Sequence, residues 1–332
     1  METRVRPVDP HSPHPTIIAE AAALIRAGDL VAFPTETVYG LGANALDPIA
    51  VAKIYDAKER PTDNPLIVHI SDPAAATTYA TISPSAQVLI DAFWPGPLSL
   101  VLHKKDTIPA ATTAGLDTVV LRCPEHPVAR ALITAADVPM SAPSANRSGR
   151  PSPTRAEHVQ SDLAGRIQLI LDGGAVEYGL ESTVIDCTGR TPTILRSGSI
   201  TREQLAEHVE LAEPSVETAS SAPRSPGLRH RHYAPTTPLI LALDASAMHR
   251  FLAGEPHPER CAVIHHSPLA AHAGVTRRLP ADPELAAPLL FDAIRTLDAE
   301  RPTQLLIEGY PETGVGQAVM DRLRRGASAI LS

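Results

Sequence analysis

Short apolar runs alternate with amphipathic stretches along most of the chain. Leu30-Val31-Ala32-Phe33, Leu66-Ile67-Val68-His69-Ile70, Leu98 to His103, Thr118 to Arg122, Ile167 to Leu171, Ser182 to Asp186 and Thr193 to Leu195 read as strands. Ile18, Ala21, Ala22 and Ile25 share one helical face, with Thr16 the expected cap and Gly28 the stop. Asp47-Pro48 reads as N-cap and first position of a helix carrying Ile49, Val51, Ala52, Ile54 and Tyr55, which leaves Lys58 and Arg60 at its exit. Ser83-Pro84 opens another helix, Pro127 to about Ala136 forms a further one, and Thr201 with Gln204 makes a capping box. Strand and helix alternate, so the predicted class is α/β with a mixed sheet.

The pattern breaks once and then restarts. From Ala212 to Ser225 the chain turns to Glu, Pro, Ser, Thr and Ala, as linkers do, and it ends in Pro226-Gly227-Leu228-Arg229-His230-Arg231-His232-Tyr233-Ala234-Pro235. After Pro238 come strand Leu239 to Leu243, helix Ala245 to Leu252, strand Cys261 to His265, helix Pro283 to Leu297, strand Gln304 to Glu308 and helix Gln317 to Arg325, a small open α/β sheet. The expected organisation is a domain over 14–210, a linker over 211–237 and a smaller domain over 238–332, with no repeat joining the halves.

Composition narrows this picture. With 332 residues, 43% of them hydrophobic but 3% aromatic, the core must be packed mainly from Ala, Val, Leu and Ile. A formal charge of -8 argues against a broad nucleic-acid coat and requires any anion site to be local. Cys123, Cys187 and Cys261 are far apart and unpaired in spacing, which fits a reducing compartment and no thiolate metal site. The N-terminus lacks the apolar run of a signal peptide, and no run is long enough to span a bilayer, so a cytoplasmic location is expected.

The chemistry gathers between Leu30 and Ile70. Pro34-Thr35-Glu36-Thr37-Val38-Tyr39-Gly40-Leu41-Gly42 and Lys58-Glu59-Arg60-Pro61-Thr62-Asp63-Asn64-Pro65-Leu66 place hydroxyls, a carboxylate and two cations beside apolar strands, the composition of a ligand cradle. No Gly-Lys pair occurs, so the P-loop is absent. Gly40-x-Gly42 matches a dinucleotide fingerprint only loosely and reads better as a backbone turn; Gly314-Val315-Gly316 is as well explained by tight packing. A second polar loop, Ser141 to Ala156, contains Arg147, Arg150 and Arg155 and no acid, and Arg and Lys together suit phosphates and carboxylates. His69 is as readily a core histidine as a ligand contact. His230, His232 and His265-His266 lack zinc spacing, and no nucleophile elbow surrounds Ser144.

Five ordered motifs carry a resemblance: Pro34 to Gly42, Lys58-x-Arg60-Pro61 with Asn64-Pro65-Leu66, Trp94-Pro95-Gly96-Pro97, Pro143-Ser144-Ala145-Asn146 and Glu181-Ser182-Thr183. Together they closely resemble the threonylcarbamoyl-AMP synthases of the YrdC-like domain family over roughly Thr16 to Glu210, and the linker and following α/β unit resemble its long, two-domain form. The resemblance implies a twisted mixed-sheet domain with a concave basic face and a Rossmann-like C-terminal domain. It implies that L-threonine, bicarbonate and ATP give threonylcarbamoyl-AMP and pyrophosphate, with Mg2+ carried by the ATP phosphates. The product would serve a tRNA-modifying transferase, with no stable nucleic-acid binding by this chain.

Position by position, the resemblance assigns Thr35, Thr37, His69, Arg122, Ala142 and Ser182 to L-threonine. It assigns Lys58, Arg60, Asn64, Thr118, Ser144, Asn146, Ser152, Arg196 and Tyr233 to ATP, with Lys58 and Arg60 catalytic. The linker, with Arg229, Arg231 and Tyr233, would close as a lid that keeps water from a labile mixed anhydride. The rival from another class is a non-catalytic tRNA-binding module resting on the arginine cluster, against which stand the acidic total charge and the few aromatics. A dinucleotide-dependent reductase using Gly40 to Ala45 has no supporting feature. If Arg60 holds the phosphates, Arg60→Ala keeps its fold and loses most pyrophosphate release; a folded variant with near-normal turnover removes Arg60 from the site.

Overall fold

The structure, a computed structural model, describes residues 2–213, 232–269 and 273–332. Its first sheet contains β1 (Arg4–Pro7), β2 (Val31–Phe33), β3 (Gly40–Asn44), β4 (Ile67–His69), β5 (Ala80–Thr81), β6 (Leu98–Lys104), β7 (Thr118–Arg122), β8 (Met140–Ser141), β9 (Leu169–Asp172), β10 (Thr183–Asp186) and β11 (Thr193–Arg196). They run in the order β1-β9-β2-β3-β8-β4-β7-β6-β10-β11, with β5 paired to β6. Both parallel pairs, such as β4 with β7, and antiparallel ones, such as β2 with β3, occur. The second sheet, β12 (Leu239–Ala242), β13 (Cys261–His265), β14 (Thr276–Arg278), β15 (Gln304–Glu308) and β16 (Ala329–Leu331), is parallel throughout in the order β14-β13-β15-β12-β16. Among the described residues no helix is long and apolar enough to cross a membrane.

Strand alternation sorts the core. In β12, Leu239 and Leu241 join the apolar cluster of the helix Pro283–Ala299, while Ile240 and Ala242 join that of the helix Ala245–Gly254. In β2, Val31 and Phe33 face the helices Pro15–Arg26 and Pro127–Ala136, while Ala32 faces the helix Pro48–Lys58. The other half of the large sheet differs. Val68, Leu100 and Leu121 pack toward the helix Pro84–Phe93, but on the opposite face Ile67, Val101, Val120 and Val184 form a small cluster of strand residues alone. That face is left to a site.

Several sequence expectations change in detail. Gly40 and Gly42 lie inside β3, not in a turn: a Cβ on Gly42 would stand 2.3 Å from Met140 Cε and 2.8 Å from a Phe33 ring carbon, so glycine is required by close packing. His14, not Thr16, caps the first helix, its Nδ1 accepting the Thr16 N–H. Strands β1, β14 and β16 carry no apolar alternation because they lie largely exposed at sheet edges, and the helix Ala156–Leu163 follows the second polar loop where the sequence pattern predicts no element. The capping box of Thr201 and Gln204 is present. Arg229, His230 and Arg231 lie outside the described residues.

The two sheets are clasped by buried charge. Asp162 accepts from Arg295 of the small domain at 2.7 Å and from Arg150 at 2.8 Å, while Asp292 meets Arg155 and His158 at 3.3 Å. Burial would raise the Asp162 carboxyl pKa, but the two guanidinium groups outweigh it and hold it below the ordinary value. Residues 232–237 run between the domains: the Ala234 N–H donates to Gly149 O and those of Thr236 and Thr237 to the Asp298 carboxylate. Gly42→Ala overpacks the first core and is expected to cost about 1–3 kcal/mol, read as a lower urea midpoint at unchanged slope; an unchanged midpoint contradicts the packing role.

Candidate active site

The bare face of the large sheet carries a pocket lined by residues of the first domain and by His232 and Tyr233 of the connecting segment. Its floor comes from Ile67 and His69 of β4 and Arg122 of β7, neighbours because His69 and Arg122 stand in register. The segment after β2 supplies Thr35 and Thr37, whose hydroxyls lie 2.8 Å apart; Thr35 Oγ1 also donates to Val38 O at 2.6 Å. Arg122 holds this segment: Nη1 donates to Thr37 Oγ1 at 2.9 Å, Nη2 to Glu36 Oε1 at 2.5 Å and Nε to Gly96 O at 3.3 Å. Glu36 Oε2 is buried without a partner. Burial, reinforced by Arg122, lowers the His69 pKa to about 3, so its imidazole is neutral at ordinary pH.

A second wall is made of Ala142, Pro143, Ser144, Asn146 and Ser152, and a third of Glu181, Ser182 and Arg196. Ala142 is fixed by its N–H to Ile67 O at 2.9 Å. Ser182 Oγ lies 2.7 Å from Ser99 Oγ and accepts from Arg196 Nη2 at 3.2 Å. Asn146 donates to Arg147 O and Arg150 O, which leaves its buried Oδ1 without a partner and directs that loop around the pocket. The roof is His232 and Tyr233, the latter with a φ of 63° and its ring stacked 5.6 Å from that of Phe291.

The sequence-assigned residues divide into wall and support. Thr35, Thr37, His69, Arg122, Ala142, Ser182, Arg60, Ser144, Asn146, Ser152, Arg196 and Tyr233 all line the pocket; Lys58, Asn64 and Thr118 do not. Lys58 ends its helix, Glu59 closes it in the left-handed conformation, and the Lys58 ammonium turns beneath the second wall to donate to Ser144 O and to Asn146 O at 2.6 Å. Burial, with Arg60 nearby, pushes its pKa well below the ordinary lysine value. Asn64 presents its carbonyl to Arg60 and Tyr55 and keeps a buried Oδ1 without a partner. Thr118 shares a face with Arg122 but begins the five-residue strand that Arg122 ends, roughly 13 Å away along it.

The remaining arginines of the second loop are answered by carboxylates. Arg147 pairs with Glu59, Arg150 with Asp162 and Arg155 with Asp292, which removes the support for an RNA-binding surface built on that cluster. His265 and His266 do not build a metal site either: Glu308, buried, takes the Ser267 hydroxyl and the N–H groups of both His266 and Ser267, and among the described residues no group of three His, Cys, Asp or Glu could hold a metal ion. Sequence reasoning gave no role to Glu181 or His232 and named Arg150 only as one of three loop cations; all three residues are in the wall. Glu181 had a signal, its place beside Ser182; His232 had only proximity to Tyr233.

The wall is strongly biased toward anions. It carries Arg60 and Arg196, besides Arg122 and Arg150, which pair with Glu36 and Asp162 behind it; its one lining carboxylate, Glu181, is already engaged by Arg322 at 3.0 Å and by the Ser152 hydroxyl. Burial lowers the Arg60 pKa to about 10 and that of Arg196 below its ordinary value, and lowers His232 to about 4. Cations whose charge is disfavoured by burial gain from an arriving anion. Arg60 Nε and His232 Nε2 are buried without partners. The pocket is narrow, about 60 Å3, and opens to solvent on one side.

Comparison with known proteins accounts for both halves of this arrangement. A family model described as telomere recombination, covering the Sua5, YciO and YrdC proteins, matches residues 23–198, and the model for the C-terminal domain of threonylcarbamoyl-AMP synthase matches residues 200–328. Threonylcarbamoyl-AMP synthase of Bacillus subtilis is 43% identical over 327 residues, covering 93% of this chain and 92% of its own. The Pyrococcus abyssi enzyme of that name is 43% identical over 321 residues, covering 92% and 93%. A crystal structure of P. abyssi Sua5 complexed with L-threonine superimposes with a TM-score of 0.90 at 40% identity, covering 98% of this chain and 99% of that one. The chain belongs to the threonylcarbamoyl-AMP synthase family, in its two-domain form.

Proposed function

We propose that the pocket binds ATP and L-threonine side by side and joins the threonine carbamate, formed with bicarbonate, to the α-phosphorus, releasing pyrophosphate and leaving threonylcarbamoyl-AMP. The observation that carries this reading is a pocket lined by the buried Arg60 and Arg196, which form no ion pair among the described residues. On the threonine side, Arg122 spends three of a guanidinium's five N–H groups on Gly96, Thr37 and Glu36, so two remain for a carboxylate. Thr35, Thr37 and Ser182 offer hydroxyls, and Ala142 a small apolar wall. Neutral His69 can accept a hydrogen bond from the amine but is a poor proton sink.

On the nucleotide side, Arg60 and Arg196 meet the phosphates, Ser144, Asn146 and Ser152 line the remainder, and Tyr233 covers it. Lys58 and Asn64 shape that wall from behind, Lys58 by holding the Ser144 and Asn146 carbonyls; Thr118 extends the same sheet face beyond it. Mg2+ carried by the ATP phosphates would supply charge neutralisation there. With Glu181 already engaged, the free Oδ1 of Asn146 and nearby hydroxyls fit a metal held mainly by phosphates. The carbamate oxygen attacks phosphorus in line with departing pyrophosphate, so no enzyme nucleophile is required. Catalysis then consists of positioning and of stabilising charge on the phosphoryl oxygens.

The roof at His232 and Tyr233 is placed to cover bound substrates and keep water from the mixed anhydride. The product passes to a tRNA-modifying transferase in the cytoplasm. Pyrophosphate release from ATP and bicarbonate, scanned across amino acids, checks this reading. Turnover with threonine alone is expected; amino-acid-independent release, or tight tRNA binding with no turnover at all, contradicts it.

A further inference from the structure

Glu181 is a carboxylate in a wall otherwise suited to a polyanion, and the small domain reaches across to answer it. Arg322 has no exposed surface, although it comes from the helix Val315–Gly326, which also buries Ala318, Val319 and Leu323. Its Nε donates to Glu181 Oε2 at 3.0 Å, its Nη1 to Ser197 O at 2.7 Å and to Asp321 at 3.0 Å, and its guanidinium lies 5.7 Å from the centre of the Tyr233 ring. One side chain therefore touches the neighbour of Ser182, the neighbour of Arg196 and the roof. At the end of the same helix Gly326 packs against the backbone of Tyr233, where a Cβ would stand 2.7 Å from its carbonyl oxygen.

The other charged contacts between the domains do not have this character. Arg295 with Asp162, and Asp292 with Arg155 and His158, join surfaces whose carboxylates stay out of the pocket wall. Glu181 is in the wall, and its second oxygen takes the Ser152 hydroxyl. Burial alone would raise the Glu181 pKa; Arg322 and Arg196 outweigh it, so the group remains ionised. An ionised carboxylate facing phosphates repels them unless a cation behind it cancels the charge.

We propose that Arg322 is a positioning residue of the small domain that neutralises Glu181 from behind, making the shared pocket acceptable to the ATP phosphates while leaving Arg60 and Arg196 free for them. The proposal rests on the ATP reading above. Its test compares KM for ATP and for threonine, and the fold by circular dichroism, in wild type, R322K, R322Q, E181Q and E181Q/R322Q. Removing the cation strands a buried charge, so R322Q is expected to raise KM for ATP about tenfold or more, with a smaller effect on threonine.

R322K keeps the charge and is expected within about threefold of wild type, and the double variant, with no charge stranded, recovers most of the lost ATP affinity. An R322Q enzyme with unchanged KM for ATP, an R322K as damaging as R322Q, or a folded double variant still weak for ATP overturns the proposal. If R322Q does not fold, R322K and the double variant decide it alone. A wild-type enzyme that does not use ATP would instead contradict the proposed function.

Discussion

Burying arginine is the constraint on which the structure depends. Arg122, Arg196 and Arg322 are all nearly or wholly removed from solvent, and such burial is tolerated only where each guanidinium finds oxygen. Arg122 finds Glu36, Thr37 and Gly96; Arg196 finds the carbonyl and hydroxyl of Ser182; Arg322 finds Glu181 and Ser197. These partners lie at the ends of strands or in the loops between them, so satisfying the cations also fixes the loops. The pocket is the space the fixed loops surround.

The fold supplies what this arrangement needs. Paired strands β4 and β7 bring His69 and Arg122 into register, and the left-handed Glu59 ends a helix so that Lys58 goes under one wall while Arg60 reaches the other side. The connecting segment then closes the enclosure with Tyr233, which Arg322 of the small domain backs. Buried pairs stabilise a fold less than their number implies, because desolvation offsets much of their attraction. Their larger effect here is to set one geometry for the wall, which under the proposed function meets several phosphate oxygens at once.

Much of this was legible in the sequence where local pattern and local chemistry agree. The strands from Leu98 and Thr118, the Asp47-Pro48 helix start and the Thr201 capping box follow from short-range periodicity and capping, and the structure contains them. Thr35, Thr37 and Arg60 stood out because polar residues cluster there beside apolar strands, while Ser144 and Asn146 were assigned through the family resemblance. What the sequence hid is set by distance along the chain. Arg322 and Glu181 are separated by 141 residues, and nothing in the helix around Arg322 marks it as paired. The loop arginines 147, 150 and 155 looked free because their carboxylates, Glu59, Asp162 and Asp292, lie in other elements. Gly42 looked like part of a turn because glycine there answers to Met140 and Phe33, which local pattern does not reveal.

A catalyst built this way needs no side chain of its own in the bond-making step; its contribution is the placement of charge around two substrates in a closed space. A crystal structure with L-threonine and a non-hydrolysable ATP analogue tests that claim most directly. The account predicts the threonine carboxylate on Arg122 near Thr37 and Ser182, the phosphates on Arg60 and Arg196, and Tyr233 over both ligands. A nucleotide bound outside this pocket, or one seated in it with its phosphates turned away from Arg60 and Arg196, would contradict it.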